Sequence, residues 1–68
     1  MNELIKLSVG ALYVDGNGDL IYFTKDVWDF MFRGYDSMTD VFVGWFSENG
    51  VILGGHSDNY NIVSKYVL

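Results

Sequence analysis

Short apolar blocks separated by glycine and small polar residues run the length of this chain. The clearest is Val41 to Leu53 (VFVGWFSENGVIL), two apolar runs around Asn49-Gly50. Both residues of that dipeptide tolerate positive φ, as a type I′ turn requires at its two central positions, so the pattern predicts a hairpin with a two-residue loop. That register sets Glu48 opposite Val51, Ser47 opposite Ile52, Phe46 opposite Leu53 and Trp45 opposite Gly54. Alternation then collects Phe42, Phe46, Val51 and Leu53 on one face and Val41, Val43, Trp45 and Ile52 on the other. Neither face is polar, so either both are covered within the monomer or one meets a partner. Gly54 leaves room for a ring over the backbone, with Trp45 the expected ring, and Gly54-Gly55 marks a sharp bend.

A second hairpin is predicted from Leu12 to Phe23 around Asp15-Gly16-Asn17-Gly18-Asp19. With Asn17-Gly18 as its turn, Tyr13 faces Tyr22 and Val14 faces Ile21. Leu12, Val14, Ile21 and Phe23 form the apolar face, and the two tyrosines lie on the reverse, where a ring packs while its hydroxyl stays wet. Between the hairpins, Val27, Phe30 and Met31 recur at i, i+3 and i+4, Asp29 and Arg33 form an i, i+4 pair, Thr24 suits an N-cap and Gly34 a stop. These features predict a short helix from Lys25 to Arg33. Asp36 to Asp40 reads as a polar turn, His56 to Asn59 as a loop, Asn2 to Leu7 as a first strand or frayed turn, and Tyr60 to Leu68 as a docked closing strand. The sum is a single domain over residues 1–68, mainly β with one short helix. It forms either a small antiparallel curled sheet or a five-stranded barrel built from two hairpins.

The elements Gly10-Ala11-Leu12-Tyr13, Gly16-Asn17-Gly18, Leu20 to Phe23, Phe42-Val43-Gly44-Trp45-Phe46, Asn49-Gly50 and Asp58 to Val63 resemble the layout of small bacteriophage and prophage β proteins of unassigned role. The resemblance covers most of the chain except Lys25 to Asp40, which reads as an insertion. It implies an SH3-like barrel and a viral source, and it carries no functional residues across.

Size and charge narrow the function. At 68 residues the domain buries only about 60% of its unfolded surface. With no cysteine it has neither disulfide nor thiolate metal site, and aromatic residues make up 18% of it. A small scaffold without staples gains from self-association, so a homo-oligomer is expected. No signal peptide or membrane-spanning run is read in the chain, and the expected location is cytoplasmic. The net charge of −5, with only Lys6, Lys25, Arg33 and Lys65 basic, disfavours nucleic-acid binding.

Few groups carry chemistry. Asp15, Asn17 and Asp19 match the first three ligand positions of a calcium loop, and Asp26 falls at its twelfth. Leu20 stands where that loop needs glycine, so a calcium-binding module is a minor alternative. His56 is the single histidine. Ser57 and Asp58 adjoin it, but neighbours in an extended loop point apart, so no triad is expected. Asp26 and Asp29 read as a solvated helix face. No catalytic residue and no cofactor are expected. The aromatic set of Tyr13, Tyr22, Trp28, Tyr35 and Trp45 (with Tyr60) is divided between core and a protein-binding patch. The expected function is non-enzymatic binding of a host or viral protein. The alternative is a DNA mimic, with Asp15, Asp19, Asp26, Asp29, Asp36 and Asp40 imitating phosphates against a nucleic-acid enzyme.

Overall fold

Tight reversals at glycine and aspartate divide the chain into strands too short to bury anything singly, and they stack side by side. The computed structural model describes residues 5–28 and 30–67. Five strands, β1 (Leu12–Asp15), β2 (Leu20–Lys25), β3 (Met31–Asp36), β4 (Phe42–Ser47) and β5 (Ile62–Lys65), form one antiparallel sheet in the order β4-β3-β2-β1-β5. A 3₁₀ turn, Asp58–Tyr60, precedes β5, with the Ser57 hydroxyl accepting from the Asn59 N–H. The mainly β expectation holds, and the closing strand forms over Ile62–Lys65, a part of the Tyr60 to Leu68 segment expected to dock.

The sheet is curled but open: β4 and β5 share no ladder. The outer edge of β4 is taken by the returning segment, through Ser47 N–H to Val51 C=O (2.9 Å) and Leu53 N–H to Trp45 C=O (2.9 Å). The two ends of the sheet meet at one corner, where Ile62 N–H donates to Gly50 C=O (2.8 Å) and Ile52 N–H to the Asn61 side-chain oxygen (2.9 Å). Of the two expected architectures, the curled sheet is the one formed.

The helix expected from Lys25 to Arg33 does not form. That segment is the end of β2, a turn, and the start of β3, closed by the pair Lys25 and Phe32. A nine-residue helix is marginal in water. Pairing β2 with β3 instead buries Phe32 on the core face, and a segment rich in aromatic residues fits a pleated surface better than a helix. Asp26 takes the role foreseen for Asp29: its carboxylate pairs with Arg33 at 3.2 Å and accepts the Val27 N–H at 2.7 Å. Asp29 itself, and the segment Asn2 to Leu4, lie outside the described residues. Ile5 to Ser8 carries no regular structure, but Leu7 is buried and its N–H donates to Glu48 C=O.

Both hairpin registers differ by one residue from the two-residue-loop expectation. Around Gly16-Asn17-Gly18, Gly18 N–H donates to Asp15 C=O (3.0 Å), Asp15 N–H donates to Asp19 C=O (3.1 Å), and Gly18 has φ +85°. Around Glu48-Asn49-Gly50, Gly50 N–H donates to Ser47 C=O (3.0 Å) and Gly50 has φ +83°. Each loop is therefore three residues long and ends in a glycine bulge. Tyr13 faces Ile21, not Tyr22, and Phe46 faces Ile52, not Leu53. A one-residue slip exchanges the faces of a strand. Tyr13 therefore turns inward, while Leu12 and Val14 turn out. Asp15 favours the longer loop because its carboxylate accepts the N–H groups of both Asn17 and Asp19 (2.9 Å each).

The core is a cluster of rings centred on Phe23. It meets Tyr13, Phe32 and Phe46 edge-on at centroid distances of 5.5, 6.3 and 5.0 Å. Leu7, Ile21, Ile52 and Ile62 fill the rest. Gly34 lies directly under these rings: a Cβ there would sit 2.6 Å from Phe46 Cε1 and 3.0 Å from Phe23 Cε1. We expect Gly34→Ala to destabilise the fold by about 1–3 kcal/mol through overpacking, read as a lower urea midpoint. An unchanged midpoint would show that the two rings are free to move.

Candidate interaction site

The strand pairing that buries Phe23 and Phe46 necessarily turns their sequence neighbours outward. Leu12 on β1 pairs with Tyr22 on β2, Tyr22 with Tyr35 on β3, and Tyr35 with Phe42 on β4, one unbroken cross-strand row on the outer face. Tyr22 and Tyr35 stack at 5.3 Å and 17°, Phe42 meets Tyr35 edge-on at 5.6 Å, and Trp45 meets Phe42 at 4.9 Å. Cross-strand aromatic pairs each contribute roughly 0.2–1 kcal/mol, so the row stiffens the sheet as well as presenting a surface. Phe42 and Trp45 remain 41% and 42% exposed, so the end of the row on β4 is open to solvent.

The expected aromatic residues separate into three groups. Tyr22, Tyr35 and Trp45 come together in this row. Trp28 lies apart, at the turn between β2 and β3, beside Phe30 at 6.3 Å. Tyr13 belongs to no surface: it is 1% exposed, its hydroxyl accepts the Ser8 N–H (2.8 Å) and donates to Lys6 C=O (3.3 Å). Its inward turn follows from the register set by the three-residue loop. Tyr60 is partly exposed beside His56, with the rings 6.2 Å apart. Trp45 packs on Phe42 rather than over Gly54.

Phe42 is the member that reading by alternation puts on the wrong face. The ladder pairs Gly34 with Gly44 but Tyr35 with Phe42, so Val43 is an extra residue that reverses the phase of β4. The signal in the sequence is faint: a glycine beside the bulge, which a strand interior otherwise avoids.

Acidic residues border the row at the β3–β4 turn. Asp36 accepts the N–H groups of Met38 and Thr39. Asp40, with φ +63°, accepts a hydrogen bond from the Tyr22 hydroxyl. That bond raises the Tyr22 phenol above its ordinary pKa of 10.0, with desolvation and the negative charge of Asp40 acting in the same direction. A shallow groove of about 400 Å³ adjoins Phe42, with Asp19, Asp36, His56 and Tyr60 on its walls.

The four residues of the calcium pattern do not converge. Asp15 is 2% exposed, with a carboxylate oxygen committed to its own turn. Asp19 and Asp26 stand at opposite ends of β2, roughly 23 Å apart at the usual rise per residue. Among the described residues no three acidic or histidine side chains gather to hold a metal ion, and no helix is long and apolar enough to cross a membrane. Compared with protein families, characterised proteins and solved structures, the chain matches none.

The proton of Tyr22 makes the rim testable. Because folding raises this pKa, the bond's contribution is complete below the unfolded phenol's value and is lost as pH climbs through the higher folded value. Titration of tyrosine absorbance should show the Tyr22 phenol ionising above the ordinary range, and Asp40→Asn should lower it. Superimposable curves would remove the bond.

Proposed function

We propose that this chain is a small non-enzymatic binding protein, phage-encoded and acting in a host cytoplasm, that docks a protein partner on the row Tyr22, Tyr35, Phe42 and Trp45. The observation that carries the reading is the row itself: contiguous rings in mutual contact, outside the core, with carboxylates at one end. Tyrosine and tryptophan anchor protein interfaces because they bury large rigid area at small entropic cost. The carboxylates favour a partner whose apolar contact residues adjoin lysine or arginine, since complementary charge steers encounter and fixes register. The viral source rests on the sequence resemblance alone.

The same geometry argues against base stacking. Tyr22 and Tyr35 each spend one face on the other, and Asp36 and Asp40 stand beside the row where a nucleic-acid groove needs basic groups. The carboxylates are also poorly placed for phosphate mimicry. Asp15 is buried, Asp26 is paired with Arg33, and Asp40 is bonded to Tyr22.

Immobilised wild-type protein should retain a partner from bacterial extract, and Phe42→Ser or Trp45→Ser should reduce that retention at least tenfold while the circular dichroism is unchanged. Equal retention by the variants would refute this docking surface. Release by duplex DNA, steeply weakened by salt, would instead establish mimicry.

A further inference from the structure

Both hairpin loops contain the dipeptide Asn-Gly: Asn17-Gly18 after β1 and Asn49-Gly50 after β4. The pair forms turns, and it is also chemically labile. Glycine has no side chain to screen its backbone nitrogen from the side-chain carbonyl carbon of the asparagine before it, and asparagine is a thermolabile residue. A base removes the glycine N–H proton, and the nitrogen bonds to asparagine Cγ. The bond from Cγ to Nδ2 breaks, the side-chain nitrogen takes up a proton and leaves as ammonia, and a five-membered imide remains. Water then opens the imide. Cleavage between the nitrogen and Cγ gives aspartate. Cleavage between the nitrogen and the backbone carbonyl carbon gives isoaspartate, in which the chain runs through the former side chain.

The two loops are alike in turn geometry. Gly18 and Gly50 have φ +85° and +83°, and their N–H groups donate at 3.0 Å to Asp15 C=O and Ser47 C=O respectively. Their surroundings differ. Asn49 Nδ2, the group that must leave, donates to Ile5 C=O at 3.0 Å. Gly50 is buried, its C=O accepts the Ile62 N–H at 2.8 Å, and a Cβ on it would lie 2.8 Å from Ile62 Cβ. Ring closure there has to break the bond to Ile5 and turn a peptide packed against β5. Asn17 and Gly18 are both exposed, and a Cβ on Gly18 would meet nothing within 4 Å. Among the described residues no hydrogen bond holds the Asn17 side-chain amide.

We infer that Asn17 is a site of spontaneous modification in the folded protein, converting to aspartate and isoaspartate through attack by the Gly18 nitrogen, while Asn49 is protected by its contacts with Ile5 and β5. Isoaspartate inserts a carbon into the loop backbone after position 17 and adds a carboxylate between Asp15 and Asp19. The bond from Asp19 N–H to the Asp15 carboxylate spans that insertion. It is one of the two bonds that favour the three-residue loop and so the inward turn of Tyr13, and the modified loop is therefore less stable.

The test uses the full chain, held folded in mildly alkaline buffer and then digested. Peptide mass spectrometry reads the mass gained when the amide becomes a carboxyl, and labelling by isoaspartyl methyltransferase reads the rearranged product. Conversion should be at least tenfold faster at Asn17 than at Asn49. In concentrated guanidinium chloride the two rates should draw level, and Asn17→Ser should abolish the faster one. Conversion of Asn49 as fast as Asn17 in the folded chain overturns the inference. So does a folded chain that converts at neither site while the unfolded chain converts at both. A tenfold difference that persists in guanidinium overturns it too, since local sequence would then set the rates. The isoaspartyl chain, purified by anion exchange, should have a lower urea midpoint than the unmodified chain; an equal midpoint would overturn the effect on the loop.

Discussion

Everything in this small sheet depends on the edge-on packing of Phe23 against Tyr13, Phe32 and Phe46, over a glycine that leaves the rings room. A fully buried phenylalanine contributes roughly 1.5–3 kcal/mol by leaving water, and each well-oriented ring pair adds about 0.5–1.5 kcal/mol. In a 68-residue chain with no disulfide, that one cluster is a large share of the driving force. It also explains why four strands contribute one ring each. β1, β2, β3 and β4 must all present an aromatic residue to the same point, and this constrains every register in the sheet.

The hairpin loops are the means of meeting that constraint. A two-residue loop at Asn17-Gly18 would turn Tyr13 outward and leave the centre of the core short of its largest member. The three-residue loop, stabilised by the Asp15 carboxylate and by glycine at positive φ, brings Tyr13 in. The buried phenol then finds partners in the chain before β1, so its burial leaves no polar atom unsatisfied. Gly16 serves the same end of the molecule: a Cβ there would meet Asn59 C=O at 2.7 Å, which is where the 3₁₀ turn packs ahead of β5.

The outer aromatic row is the counterpart of this core rather than a separate invention. Strands that carry rings on both faces fill one side and must leave the other to solvent or to a partner. The bulge in β4 sharpens the division, sending Phe42 out beside Trp45 while Phe46 stays in. The outer row is thus the second face of the same pattern.

The sequence alone was enough for the mainly β class, the two glycine hairpins, the closing strand and the excess of rings over what a small core holds, because turn chemistry and apolar runs are local. The side of the sheet on which each ring falls was not local. Tyr13 and Phe42 exchange faces through a single extra residue, in a loop for one and in a bulge for the other, and only the packing around Phe23 selects that residue. The segment Lys25 to Arg33 has helical spacing over one turn, yet its strand form wins because Phe32 and Gly34 complete the cluster. Such a gain exists only when distant strands are already in place, and no window of sequence contains it.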